Sequence, residues 1–378
     1  MCLTPVSIVV NDFYGNRRSM EVPCGKCVEC VIKYQNMWKC RLIEEDRRWP
    51  FCYFFTLTYS DDHLPTVVNS YTGEVLSTAC KKDVQSWLKR FRQRVVRRRA
   101  KERGIYCKDI TAGSYKHLKP HLSYFICAEY GPNGTHRPHY HGLLFTDLPY
   151  RYVSMLIGDW RDRFGFVNLK RVKARNDAHS KASAPANYVS KYCCKGEFSS
   201  RVDDIEAGLI EPAWRIMSKG IGSNYLDRNF NYHRPPRRFY FSSQEYIEAC
   251  VDRCFYYDGE YRYPLPRYWK ERIFYEFVSY PQIYYDKKDK ICKLRKAHRF
   301  AARNEISARM QIVVRDRIDQ DYLERFALVK SLYPSWSDTE VDLHLLSLEE
   351  DSRKARKASK LGKLNKFYIE NKLKYKHL

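Results

Sequence analysis

The sequence predicts an α+β fold. Short segments rich in β-branched and aromatic residues recur along its first half and read as strands: "FCYFFTLTYS" (51–60), "LSYFICAEY" (122–130) and "HYHGLLF" (139–145). Segments with apolar residues at helical spacing separate and follow them. Hydrophobic residues make up 44% of the 378, enough to bury a core between the two kinds of element.

The elements follow in order. Residues 1–50 form a cysteine-bearing segment that ends in a helix, "VECVIKYQNMWKCRLIEEDRR". The strand 51–60 closes on the turn chemistry of "DDHLP", and Thr72-Gly73 marks a short hairpin. A helix is predicted over 81–104, where Val84, Leu88, Phe91 and Val95 form one apolar stripe and Gly104 is a stop. The strands 122–130 and 139–145 flank the loop "GPNGTHRP" and form a hairpin. A helix over 152–165, a strand over 166–172 and a polar linker come next. "PANYVSKYCCKG" (185–196) begins with Pro and ends with Gly, in the manner of a short helix. Beyond residue 200, "PPRRFYFSSQEYIEAC" reads as a strand and then a helix, while 294–330 and 338–350 read as helices. The tail, 351–378, carries ten Lys or Arg against two acidic residues and is expected to order only on a partner. Four stretches result: 1–50, a core 51–200, an extension 201–280, and a basic, mainly helical region 281–378.

Lys and Arg number 68 against 44 Asp and Glu, a formal net charge of +24. A chain this basic usually meets a polyanion, and 31 tyrosines supply rings that can stack on unpaired bases. Lys89, Arg90, Arg94, Arg97 and Arg98 of the helix 81–104 are candidate phosphate contacts, with a merely solvated surface helix as the alternative. The N-terminal stretch lacks the basic start of a signal peptide, and no window reaches the ~20 apolar residues of a membrane span. An intracellular protein with reduced cysteines is expected. No G-x-x-x-x-G-K-[ST] loop occurs, which argues against a nucleotide-driven helicase.

"RPHYHGLLF" (137–145) sets His139 and His141 one residue apart. Side chains alternate along a strand, so both imidazoles point to one face and Tyr140 to the other. Two adjacent imidazoles are a natural seat for a divalent cation. An even register across the hairpin adds Glu129 to that face. Two nitrogens and a carboxylate then leave open positions for a substrate oxygen. The same set describes non-haem iron oxygenases, although no cosubstrate site is legible. Two half-exposed histidines without a metal are the plainer alternative.

In "NYVSKYCCK", with Tyr188 at 0° on a helix, Lys191 falls at about −60°, Tyr192 at about +40° and Lys195 at about −20°. All four share a face, and Ala186, Val189 and Cys193 lie opposite, where they can pack on a sheet. A phenol, with a pKa of about 10, is a weak nucleophile, but nearby ammonium groups favour its phenolate. A tyrosine beside a metal that polarises a phosphodiester makes a transesterification site. A pair of packing tyrosines is the alternative.

Cys24, Cys27 and Cys30 stand at C-x₂-C-x₂-C, with Cys40 ten residues further on. Four such thiolates would complete a tetrahedral structural Zn²⁺ site. Buried structural thiols and an iron–sulfur cluster are the alternatives.

"FFTLTYS", "RPHYHGLLF" and "YVSKYCCK", in that order, resemble the three motifs of the HUH endonuclease superfamily, which initiates rolling-circle replication. More narrowly, "VPCGKCVECVIKYQNMWKCRL", "MSKGIGSNYLD" and "DGEYRYPLPRYW" resemble the replication initiators of microviruses of the gokushovirus group, from residue 22 to about residue 273. The resemblance implies a five-stranded antiparallel sheet with flanking helices, the histidine strand lying centrally beside "FTLTY". It implies Mg²⁺ or Mn²⁺ held by His139, His141 and a third ligand, placed at Glu129. Tyr188 matches the nicking nucleophile, Tyr192 the second tyrosine and Lys191 the lysine between them. Lys195 also matches, and with Arg137 it is expected at the DNA. The implied activity cuts single-stranded origin DNA, leaves a 5′-phosphotyrosine and a 3′ hydroxyl, and later rejoins the strand. The implied partners are single-stranded and supercoiled origin DNA and a bacterial host's polymerase and helicase. The implied place is that host's cytoplasm, with no membrane partner. A basic DNA-binding protein without catalysis is the competing reading.

Overall fold

The computed structural model describes residues 2, 5–11, 17–25, 27–106, 117–118, 121–131, 136–172, 186, 189–190, 202–275, 277–286, 291–300, 305–351 and 354–355. The chain divides into two compact units. One comprises Tyr34–Asn229 and Tyr256–Pro266; the other comprises Met1–Lys33, Phe230–Phe255 and Arg267–Leu378.

The chain opens with an antiparallel hairpin, β1 (Val6–Asn11) and β2 (Arg17–Val22), and enters α1 (Val28–Arg48). Next come β3 (Phe51–Tyr59), the small hairpin of β4 (Thr66–Val68) and β5 (Val75–Ser77), and α2 (Lys81–Glu102). β6 (Leu122–Tyr130) pairs with β7 (Pro138–Thr146). Two short helices, α3 (Tyr150–Ile157) and α4 (Asp159–Arg163), lead into β8 (Gly165–Arg171). A further short helix, α5 (Val202–Glu206), precedes β9 (Arg215–Met217).

In the first unit the strands form one five-stranded sheet of order β8-β3-β7-β6-β9, antiparallel throughout. The histidine strand is central and the "FTLTY" strand is its neighbour, as expected. Strand alternation gives the sheet two faces. On one, Tyr53, Phe55, Leu57, Ile126, Ala128, Tyr140 and Leu144 meet Val84, Trp87, Leu88, Phe91 and Val95 of α2. The predicted apolar stripe of that helix is therefore its buried side. On the other face, Cys52, Phe125, Cys127, Leu143 and Phe145 meet Trp38, Leu42 and Ile43 of α1, together with Ala186 and Val189. β7 is covered on both sides and is buried almost without interruption. Its Gly142 lies opposite Phe55, and a Cβ built there would stand 2.3 Å from Phe55 Cζ. The aromatic ring occupies the space a side chain would need.

α2 does not present all its arginines to solvent. Asp159, at the start of α4, is fully buried. Its carboxylate accepts from Arg90 Nε at 2.7 Å and pairs with Arg94 Nη2 at 2.7 Å and Arg163 Nε at 3.3 Å. Arg98 pairs with Glu102 at 3.1 Å. Lys89, Arg97 and Arg98 are exposed. Two members of the expected phosphate-binding set, Arg90 and Arg94, thus brace a buried carboxylate.

Two sequence expectations in the rest of the chain need correction. After α6 (Asn224–His233), "RRFYF" is not a strand: Arg237–Phe239 is a single 3₁₀ turn. Pro236 before it has no N–H for a ladder, and Ser242 and Glu245 form a capping box that starts α7 (Ser243–Asp252) at once. The hairpin of β10 (Phe255–Asp258) and β11 (Tyr261–Pro264) and the helix α8 (Arg267–Phe274) follow. The second correction is at 294–300. β12 (Phe277–Asp286) pairs with β13 (Ile291–Phe300) over ten positions, so 294–300 is strand where a helix was expected. Ile291, Leu294, Ala297 and Phe300 recur every third residue, which imitates a helical stripe, but the aromatic and β-branched partner strand decides the outcome. α9 (Glu305–Leu332) and a helix at 338–351 give the C-terminal region its helical character and share a small core of Val329, Val341 and Leu345. Among the described residues no helix is long and apolar enough to cross a membrane.

Replacing Asp159 by Ala leaves two guanidiniums without their acceptor. Urea denaturation should show a loss of about 2–3 kcal/mol, below the ~3–5 of a fully enclosed pair because the arginines still reach water. Asp162→Ala, exposed on the same helix, should change stability by less than ~0.5 kcal/mol.

Candidate active site

Register builds the site. His139 of β7 lies opposite Thr58 of β3 and Glu129 of β6; His141 lies opposite Thr56 and Cys127. Residues directly opposite in an antiparallel sheet share a face, so two adjacent rungs carry Thr58–His139–Glu129 and Thr56–His141–Cys127. Farther along this face the rungs become apolar, with Phe54, Leu143 and Phe125.

The two threonines fix the imidazoles. Thr58 Oγ1 is 3.0 Å from His139 Nδ1, and Thr56 Oγ1 is 3.1 Å from His141 Nδ1. When each hydroxyl accepts from Nδ1–H, Nε2 keeps its lone pair for an external ligand. His141 Nε2 meets Glu129 Oε2 at 3.1 Å, and the His141 ring stacks near Phe54 at a centroid distance of 6.1 Å. Burial first, and then the neighbouring His141, push His139 down to about 4, so it is a neutral imidazole at pH 7. A neutral histidine is the form that binds metal.

Two imidazoles and one carboxylate on one rigid face suit Mn²⁺, and Mg²⁺ through its oxygen ligand. The set is not closed in this arrangement. The imidazole centroids are 6.3 Å apart, and His139 Nε2 lies toward Gly131, 3.5 Å from where a Cβ of that residue would stand. An ion shared by both rings requires His139 to rotate. Thr56 and Thr58 are not among the predicted site residues. Their signal is nonetheless present, since T-x-T in "FTLTY" has the same period of two as H-x-H.

Arg137 is tied to the end of β3, donating to the Tyr59 carbonyl at 2.9 Å and pairing with Asp61. Tyr188, Lys191, Tyr192 and Lys195 lie outside the described residues, as does Cys193. Ala186, Val189 and Ser190 of the same segment are helical and buried. Ala186 and Val189 join the apolar cluster on the sheet face that carries the histidines.

A second group of metal-ligating side chains lies in the other unit. Cys2, Cys24, Cys27 and Cys30 bring their sulfurs within 4.8 Å of one another, and the group can chelate a metal ion. Among the described residues no other set of three or more His, Cys, Asp or Glu is drawn together so closely. Cys40 is not part of it, contrary to expectation. It lies ten residues beyond Cys30 on the same helix, about 15 Å along the axis, and is buried. Cys2 takes its place. The 22 residues between Cys2 and Cys24 hide that partner from a reading by spacing, because only the β1–β2 hairpin returns the chain.

Comparison with known proteins gives the class first. A family described as replication-associated protein, of the ORF2 type, matches residues 52–197, the stretch that holds the sheet and both histidines. Individual relatives are viral. The chain is 26% identical to the replication-associated protein VP4 of Bdellovibrio phage phiMH2K, over 47% of this chain and 49% of that protein. It is 26% identical to the replication-associated protein ORF2 of Spiroplasma virus 4, over 75% of this chain and 76% of that protein. The chain thus spans about half the length of the first relative and three quarters of the second. No solved structure matches it. The chain is distantly related to viral replication-associated proteins.

His139 makes stability depend on pH. Its folded pKa of about 4 lies below the ~6.5 of free imidazole, so between these values the unfolded chain binds a proton that the folded chain does not. The contribution is full above about pH 6.5 and is lost as pH falls toward 4, by at most about 3 kcal/mol. Urea melts at about pH 7 and pH 4.5 should show a smaller drop in His139→Gln than in the parent. Buried His233, whose pKa is also lowered by burial, supplies part of the remaining slope.

Proposed function

We propose that the chain is a rolling-circle replication initiator that nicks and rejoins single-stranded origin DNA through a tyrosine. The observation that carries this reading is the pair of adjacent rungs, Thr58–His139–Glu129 and Thr56–His141, in a chain related to viral replication-associated proteins. His139, His141 and Glu129 would hold Mg²⁺ or Mn²⁺. When bound, the ion supplies positive charge to a nonbridging oxygen of the scissile phosphate.

Tyr188 is assigned the attack. Its phenolic oxygen bonds to phosphorus, the bond from phosphorus to the 3′ oxygen breaks, and that oxygen takes a proton. The products are a 5′-phosphotyrosine and a free 3′ hydroxyl. Lys191 is assigned to favour the phenolate, and Tyr192 to perform the second transfer that closes the strand. No energy is drawn from nucleotide hydrolysis, because the phosphodiester energy is kept in the tyrosine link.

Arg137, at the start of the histidine strand, and Lys195 are assigned phosphate contacts near the cut. α2 covers the opposite face of the sheet, so Lys89, Arg97 and Arg98 are assigned a nonspecific grip on DNA. The finer assignment, to the microvirus initiators of the gokushovirus group, rests on "VPCGKCVEC" and "DGEYRYPLPRYW". It carries with it a supercoiled origin, the polymerase and helicase of a bacterial host, and that host's cytoplasm.

Covalent capture tests the reading. Purified protein is mixed with single-stranded DNA from its own replicon, with Mn²⁺ or EDTA, and run on a denaturing gel. A metal-dependent protein–DNA band, lost in Tyr188→Phe or Tyr192→Phe, is expected and identifies the attacking phenol. Binding without any band under any metal would leave a noncatalytic DNA-binding protein and sink the proposal. A further outcome concerns the threonines: Thr58→Val should raise the Mn²⁺ concentration needed for half-maximal nicking by about 10–100-fold while folding is retained.

A further inference from the structure

We propose that Cys2, Cys24, Cys27 and Cys30 bind one Zn²⁺ as a structural tetrathiolate site that fastens the N-terminal end of the chain to the start of α1. The nicking site plays no part in this argument. Cys2 Sγ lies 3.5 Å from Cys24 Sγ and 3.7 Å from Cys27 Sγ. Four sulfurs held at the Zn–S distance of about 2.3 Å stand about 3.8 Å apart around a tetrahedron. The group therefore already has the dimensions of the site. A disulfide requires two sulfurs at about 2.0 Å, and none of the four cysteines forms one.

Core packing does not account for the group. Cys2, Cys24 and Cys27 are only half-buried, whereas the packing thiols of the sheet core, Cys52 and Cys127, are fully buried among apolar side chains. Nor is the C-x₂-C-x₂-C spacing too tight for one ion. Val31 N–H donates to the Cys27 carbonyl at 3.0 Å, so helical spacing holds from Cys27 onward. Cys27 and Cys30, three residues apart, then share a helix face. They also sit at the N-terminus of α1, where the helix dipole favours thiolates.

The backbone is arranged for negative sulfur. Gly25, at φ +79°, turns the chain through the left-handed region immediately after Cys24. The Cys27 N–H then donates to Cys24 Sγ at 3.2 Å, and the Cys24 N–H donates to Cys2 Sγ at 3.3 Å. Such N–H···S bonds stabilise the charge of a thiolate set and orient its members.

The test is metal analysis of the full chain, purified under reductant without added chelator. About one zinc per chain is expected by mass spectrometry of the elements. Cys2→Ser and Cys24→Ser should lose most of it, and Cys40→Ser should keep it. Replacement by Co²⁺ should give the visible bands of a tetrahedral cobalt tetrathiolate. The unmutated protein offers a second readout that does not depend on variant folding. Iodoacetamide labelling, mapped by peptide mass, should spare Cys2, Cys24, Cys27 and Cys30 until a zinc chelator is added. Unprotected thiols with no zinc would overturn the proposal. So would iron with labile sulfide, or zinc lost from Cys40→Ser and retained in Cys2→Ser. Zinc content is read without DNA, so this outcome and that of covalent capture stand apart.

Discussion

A slip of one residue between β7 and its neighbours would turn His139 and His141 toward α2 and expose Tyr140 and Leu144. Nothing else in the first unit has so much resting on it. The correct register is held from both sides. Phe55 lies across Gly142, and the apolar residues of alternate positions fill two separate cores, so any shift costs burial on both faces. The same register delivers Thr58 and Glu129 to His139, and Thr56 to His141. Ligand, orienting hydroxyl and carboxylate come from three strands, and none depends on a loop.

The two faces divide the labour. α2 seals one with an apolar stripe, and its arginines hold α4 through Asp159. The other face is apolar where α1, Ala186 and Val189 cover it and polar where the histidines stand. Strong positive charge in the sequence is thus not one property. Part of it braces the fold against a buried carboxylate, and part of it faces solvent.

The legible parts of the chain are those in which local pattern and tertiary partner agree. H-x-H within a β-rich run, Glu129 at an even register and the stripe of α2 are all readable because a period of two or of 3.6 directly sets the face. β9, only three residues long, carries no period to read. The strand 291–300 carries the wrong one, since its apolar residues fall every third position. Cys40 looks like a member of the cysteine run because it is near in sequence, although a helix makes ten residues a separation rather than a contact. Cys2 escapes notice for the converse reason. Asp159 gives no sign of its role, because a lone carboxylate looks the same in solvent and beneath three guanidiniums.

The depth of β7 has a consequence for the order in which the first unit comes apart. Central strands, paired on both edges and covered on both faces, exchange their amide hydrogens only in the rarest openings, while short edge strands and two-stranded hairpins open far more often. β9 and the β4–β5 pair are of the second kind, and the strand bearing His139 and His141 is of the first. Fluctuations that loosen the rim leave the imidazoles in register. The donor geometry therefore has nearly the lifetime of the folded state itself, and is lost only when the sheet is.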